Sequence, residues 1–273
     1  MSGFLRPARM KRLFPFFLPV TVTLIAASSP LSGSEKESVE KPEAIIRQTV
    51  EELPAETASQ TDNLSDRFWL YLPERYAAGG EKLPLLIYLH GSSRRGREIE
   101  AVKANGLPPV LDLKNDFDFV VASPQALSNH AWQVSWRPGD LMLLLDHLLA
   151  NYKIDPARVY LTGLSMGGYG TWSAIAEHPD RFAAAAPICG GGNPEWGKAI
   201  GDLPIWAFHG DEDAVVPVER SIEMVEAVNA AGGQAKLTRY PETGHDSYTR
   251  TYANPELYEW FLRHRRGEGT GIE

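Results

Sequence analysis

Three residue types in one chain order could carry nucleophilic chemistry. Gly163-Leu164-Ser165-Met166-Gly167 sets a hydroxyl between two residues without a Cβ, which a sharp strand-to-helix turn needs if it is to leave that hydroxyl exposed. The apolar run Val159 to Thr162 before it reads as a strand, and the stretch after it is compatible with a helix. A serine hydroxyl becomes a nucleophile when a neighbouring base takes its proton and a third group orients the base. In such a frame the partners follow in order, an acid and then a histidine, each on a loop after a later strand.

Both partners can be found. After an apolar run ending at Phe208 the chain reads His209-Gly210-Asp211-Glu212-Asp213-Ala214-Val215-Val216-Pro217. Asp213 is the preferred acid, because the apolar residues just after it could fix its loop against the body; Asp211 is held in reserve. A solvated acidic loop or a cation site is the plainer reading of the same cluster. His245, in Gly244-His245-Asp246, follows the run Lys236 to Tyr240 and is the expected base, whereas His90 and His209 each precede a glycine at a strand end and are read as turn-shaping. Neutral His245 would take the Ser165 proton as the oxygen attacks a carbonyl, and Asp213 would stabilise the imidazolium. The oxyanion that forms needs two preorganised donors. These are assigned to the backbone N–H groups of Met166 and of Ser92, in the His90-Gly91-Ser92 turn.

The elements that must hold these loops are legible as alternating short apolar runs and helical patterns, the signature of a mostly parallel sheet with crossover helices. Strands are expected at Phe68 to Leu72, Leu85 to Leu89, Phe117 to Ala122, Val159 to Thr162, Ala183 to Ile188, Pro204 to Phe208 and Lys236 to Tyr240. Helical spacing is clearest from Leu141 to Tyr152, where Leu141, Leu144, Leu145, Leu148 and Leu149 make one stripe. Glu219 to Ala230 and Pro255 to Arg263 are weaker amphipathic patterns.

The flanks set the boundaries. Basic residues Arg6 to Arg12, an apolar run Leu13 to Ala26 and small residues Ala26 to Ser29 have the three parts of a cleaved export signal. Broken by Pro15 and Pro19, the run is shorter than the roughly 20 residues that span a bilayer. The expected organisation is a signal peptide over 1–27, a flexible arm over 28–62, a catalytic domain over 63–266 and a disordered tail over 267–273, with the mature protein periplasmic or extracellular. The net charge of −8 and the scarcity of basic runs beyond Arg263, Arg265 and Arg266 argue against nucleic-acid binding; those three read as the last turn of a helix. The single cysteine, Cys189, makes no internal disulfide. No nucleotide-binding glycine motif and no His-Glu-x-x-His is present, so the sequence supports neither a cofactor nor a metal.

Leu85-Leu86-Ile87-Tyr88-Leu89-His90-Gly91, Tyr160-Leu161-Thr162-Gly163-Leu164-Ser165-Met166-Gly167-Gly168-Tyr169-Gly170, and His209-Gly210 with Asp213 and Val216-Pro217 resemble the α/β-hydrolase superfamily. More narrowly they resemble its small secreted serine esterases, the phospholipase/carboxylesterase and dienelactone-hydrolase-like group that includes predicted peptidases and feruloyl-esterase-like proteins. The resemblance covers about Arg67 to Arg263. It implies an α/β-hydrolase fold with helices on both faces of the sheet, and Ser165, Asp213, His245, Ser92 and Met166 in the roles given above. Dienelactone hydrolases proper carry cysteine at the elbow, where this chain has serine. The expected activity is cleavage of small-molecule or polysaccharide-linked carboxylic esters; a peptidase on short peptides and a non-catalytic binding module are the alternatives. Of the seven tryptophans, Trp132, Trp136 and Trp196 lie in loops, where they either stack on a substrate ring or pack against the body. Trp69, Trp172, Trp206 and Trp260 are expected in the core.

Overall fold

The structure is a computed structural model that describes residues 48–78, 80–114, 117–131 and 134–267. The expected signal peptide lies outside the described residues, as does the expected tail apart from Gly267. In chain order the elements are β1 (Gln48–Glu52), α1 (Ala55–Ala58), β2 (Leu64–Tyr71), α2 (Glu74–Ala78), β3 (Leu83–Leu89), α3 (Pro108–Leu113), β4 (Val120–Ala126), α4 (Pro138–Asn151) and β5 (Ile154–Leu164). There follow α5 (Met166–Glu177), β6 (Ala184–Ile188), α6 (Gly197–Ile200), β7 (Ile205–Gly210), α7 (Glu219–Ala230), β8 (Ala235–Tyr240), α8 (Ser247–Ala253) and α9 (Pro255–Leu262), with short 3-10 turns between some of them.

The strands form one eight-stranded sheet in the order β1-β2-β4-β3-β5-β6-β7-β8. Its β1–β2 and β2–β4 pairs are antiparallel and the rest parallel. β3 shows why the interior strands read as unbroken apolar runs. Leu85, Ile87 and Leu89 face one apolar layer with Leu141, Leu144, Leu145, Leu148, Trp172 and Met224 of α4, α5 and α7. Leu86 and Tyr88 face the other layer, with Leu111, Tyr252, Leu257 and Phe261 of α3, α8 and α9. Successive side chains of a strand point to opposite faces, so a strand covered by helices on both sides must be apolar at every position.

Register brings the strand ends together. Leu89 pairs with Gly163, Leu164 with Ile188, Ile188 with Phe208 and Gly210 with Tyr240. The carboxyl ends of β3, β5, β6, β7 and β8 therefore lie side by side, and the loops that leave them converge over one edge of the sheet.

Two expectations need correction. The flexible arm expected over 28–62 contributes structure from Gln48 onward: β1 pairs with β2 from Gln48↔Tyr71 to Glu52↔Arg67. The N–H groups of Asp62 and Asn63 donate to the Asp140 carboxylate at 2.9 and 2.7 Å. Polar composition hid an edge strand, which has one partner and few apolar positions to show. The strand expected over 117–122 is β4, beginning at Val120, because Phe117 and Phe119 turn into the aromatic layer around Tyr258 instead.

Candidate active site

Ser165 stands between the end of β5 and the start of α5 with φ 54° and ψ −117°. This is a left-handed conformation that a residue with a Cβ adopts at a cost of about 1–3 kcal/mol. The flanking glycines make the turn possible. A Cβ on Gly163 would lie 2.5 Å from Gly167 O, and one on Gly167 would lie 2.0 Å from Leu89 O. The helix start is thus pressed against the end of β3, and Ser165 N–H donates to Ile188 O at 2.9 Å. The serine is buried save for 9% of its surface.

A continuous hydrogen-bonded chain leads away from its hydroxyl. Ser165 Oγ lies 3.0 Å from His245 Nε2, and His245 Nδ1 lies 2.7 Å from Asp213 Oδ2. A carboxylate only accepts, so Nδ1 carries the proton and Nε2 is left free to take one from the hydroxyl. Asp213, 7% exposed, is held at its other oxygen by the N–H groups of Val215 and Val216, both at 2.9 Å. The expectation that these valines fix the loop through packing holds for Val216 but not for Val215, which is 69% exposed; their backbones fix the carboxylate directly. Asp211, the reserve, is exposed and paired with Arg239 at 2.7 Å.

The turn after β3 lies against the serine: a Cβ on Gly91 would fall 3.7 Å from Ser165 Cβ. His90 sets its orientation. Ala126 N–H donates to His90 Nε2 at 3.0 Å, which forces the ring proton onto Nδ1, and Nδ1 donates to Gly91 O at 2.7 Å. Across a planar trans peptide the carbonyl and the next N–H point opposite ways, so pinning Gly91 O aims Ser92 N–H to the other side. Ser92 and Met166 both open helical turns, where an N–H has no earlier turn to donate to. Burial pushes the His90 imidazole down to about 4, which keeps this ring neutral.

The loop tryptophans differ in what they bond. Trp132 lies outside the described residues. Trp136, expected at the substrate, is 3% exposed; its Nε1–H donates to His90 O at 3.1 Å and its ring packs edge-on to His90. It supports the turn and also lines, together with Trp196, a cleft beside α5. Trp196 is half-buried and, with Asp62, Arg137, Tyr169 and Ser173, lines a cleft of about 460 Å³ beside α5. Trp69, Trp172, Trp206 and Trp260 are buried, as expected. His90 and His209 were assigned only to turns by sequence reasoning; both sit at strand ends before glycine, where a side chain on an interior strand has no route to solvent.

Among the described residues one trio of metal-type ligands converges, with Cys189 Sγ, an Asp213 oxygen and a His245 nitrogen within 4.8 Å. Burial pushes the Cys189 thiol up to about 12. The Asp213 oxygen and the His245 nitrogen already bond each other at 2.7 Å, and the Cys189 thiol lies beside that bond.

An eight-stranded, mostly parallel sheet with helices on both faces, bearing a strained serine turn at its carboxyl edge, is the α/β-hydrolase fold. Residues 123–258 match the Dienelactone hydrolase family. The chain is 37% identical over 121 residues to poly(3-hydroxyalkanoate) depolymerase C of Paucimonas lemoignei, an alignment covering 40% of this chain and 28% of that protein. It is 31% identical over 139 residues to the bifunctional acetylxylan esterase/xylanase XynS20E of Neocallimastix patriciarum, covering 47% of this chain and 20% of that one. Both curated relatives are thus several times longer than the part they share. The crystal structure of a thermostable esterase superposes with a TM-score of 0.68 at 32% identity over 82% of this chain and 64% of its own. These relatives and this neighbour are named for polyester depolymerase and esterase activities, and the chain spans less than a third of the length of either curated relative.

Proposed function

We propose that the protein is an exported serine carboxylesterase working through an acyl-enzyme. The observation that carries this reading is the unbroken chain from Ser165 Oγ to His245 to Asp213, at 3.0 and 2.7 Å. Ser165 attacks the ester carbonyl while His245 Nε2 takes the hydroxyl proton, and the oxyanion is met by the N–H groups of Ser92 and Met166. The imidazolium returns its proton to the departing alcohol; water, activated by the same nitrogen, then releases the acid and restores the serine. Relatives named for a polyester depolymerase and an acetylxylan esterase support esters borne on polymers as substrates.

The test compares p-nitrophenyl butyrate, methyl ferulate and a chromogenic peptide amide, with Ser165→Ala as control. Ester turnover that falls by at least about a thousandfold in the variant is the expected result. Full turnover by Ser165→Ala would sink the mechanism, and amide cleavage at the ester rate would move the protein to the peptidases. Export is tested by sequencing the amino terminus of protein recovered outside the cytoplasm: a start near residue 28 is expected.

A further inference from the structure

One oxygen of the acid serves two imidazoles. His245 Nδ1 lies 2.7 Å from Asp213 Oδ2, and His209 Nε2 lies 3.3 Å from the same atom. His209 is on β7, wholly buried, and had only a turn-shaping role on sequence grounds. Its protons can be placed from its partners. Nε2 is 2.8 Å from Val216 O, which only accepts, so Nε2 carries a proton shared between Val216 O and Asp213 Oδ2. Nδ1 is 2.7 Å from the hydroxyl of Ser221 on α7, which also reaches Gly190 O at 3.0 Å. That hydroxyl has one proton: it donates to Nδ1 when the ring is neutral and to Gly190 O when the ring is protonated.

The remaining groups around this ring are few. Asp213 faces it from its own loop and His245 from the loop after β8, with the neutral Cys189 thiol grouped with those two. Asp213 thus has all its acceptor positions used, two by the Val215 and Val216 N–H groups and two by imidazoles. Resting on the serine-relay reading above, we infer that His209 is a positioning residue: as a neutral Nε2–H ring it holds Asp213 Oδ2 toward His245 and leaves the carboxylate's charge for the imidazolium that forms there. A cationic His209 would compensate that charge itself and set two cations on one carboxylate. Burial pushes the His209 imidazole below its ordinary value, although Val216 O and Asp213 pull the other way, which supports the neutral form.

Two substitutions separate positioning from packing. His209→Asn keeps an amide near the Nδ1 position and loses the donor at Asp213, whereas His209→Gln carries an N–H out to the Nε2 position. His209→Asn should lower kcat on p-nitrophenyl butyrate about 10- to 100-fold, within the range attributable to an impaired general base. KM should stay within about twofold, and the acid-side midpoint of the kcat/KM profile should move to lower pH as His245 loses support. His209→Gln should recover most of kcat and the midpoint. Equal losses in both variants with an unmoved midpoint, or His209→Asn within about threefold of wild type, would overturn the inference. Histidine-selective 15N spectra of the unsubstituted protein give a readout independent of variant folding: at pH 7 His209 should be the neutral Nε2–H tautomer, and an Nδ1–H tautomer or a cation would overturn it. If Ser165→Ala is inactive and His209→Asn is normal, this inference alone falls; if Ser165→Ala is active, the serine relay falls first.

Discussion

Histidines do three different jobs along the carboxyl edge of the sheet, and the partner of each ring decides which. His245 meets the Ser165 hydroxyl at Nε2, where the proposed mechanism sends the serine proton; His90 and His209 have both nitrogens engaged by the fold. His90 makes a thermodynamic prediction. Its folded value near 4 lies below the ordinary 6.5, so between these values the unfolded chain binds the extra proton and the folded one does not. The contribution is fully present above about pH 6.5 and is lost as pH falls toward 4, a change of roughly 3 kcal/mol. Urea unfolding of wild type and His90→Gln across pH 7 to 4 should show the gap between them narrowing by that order; a gap independent of pH would contradict it. Ser165, Asp213 and His245 were legible because the chemistry fixes their types and the topology fixes their order. The supporting roles of His90 and His209 were not, because they depend on which carbonyls and amides meet the ring, and those come from distant strands.

Elements were read most surely where one face or both faces are apolar. α4 and α7 lie within a few residues of their expected places, and every expected strand from the Leu85 run onward exists. The misses include the short helices α1, α2, α3 and α6 and two elements whose partners supply the signal: β1, a polar edge strand, and α8, a short helix whose buried Ser247, Thr251 and Tyr252 do not form a long apolar stripe. The glycine elbow is the element with least tolerance. Gly167→Ala would drive a methyl to 2.0 Å from Leu89 O, which is backbone and cannot swing aside. The expected cost is at least about 3 kcal/mol, measured as a fall in the urea midpoint, with ester turnover falling in parallel. A variant folding at wild-type stability would show that β3 and α5 are less tightly pressed than their geometry indicates.

For the molecule as a whole, the sheet separates two apolar layers, and the chain's last described turn closes one of them. After α9, Tyr160 Oη donates to His264 O at 2.8 Å, Arg265 donates to Asp155 at 2.8 Å and Arg266 N–H to Ala157 O at 2.8 Å. Arg263 caps α9, as expected of it, whereas Arg265 and Arg266 continue past the helix and tie the chain to the start of β5. Ending the protein after Arg263 should cost about 2–4 kcal/mol, because a largely buried tyrosine hydroxyl loses its acceptor and an ion pair is cut. Equilibrium unfolding would register this as a lower midpoint at unchanged slope, while kcat at low denaturant should hold, since no relay residue is touched. An unchanged midpoint would make the turn ornamental.

The relay also joins residues far apart in the chain: Ser165 and His245 are 80 positions apart and Asp213 lies between them. Forming it requires β5, β6, β7 and β8 to pair in register, so on the proposed mechanism a fragment that stops before His245 turns over no ester and catalysis is a late reporter of assembly. On dilution from denaturant, regain of ester turnover should trail the recovery of helical circular dichroism, because short-range coils form well before distant strands find their neighbours.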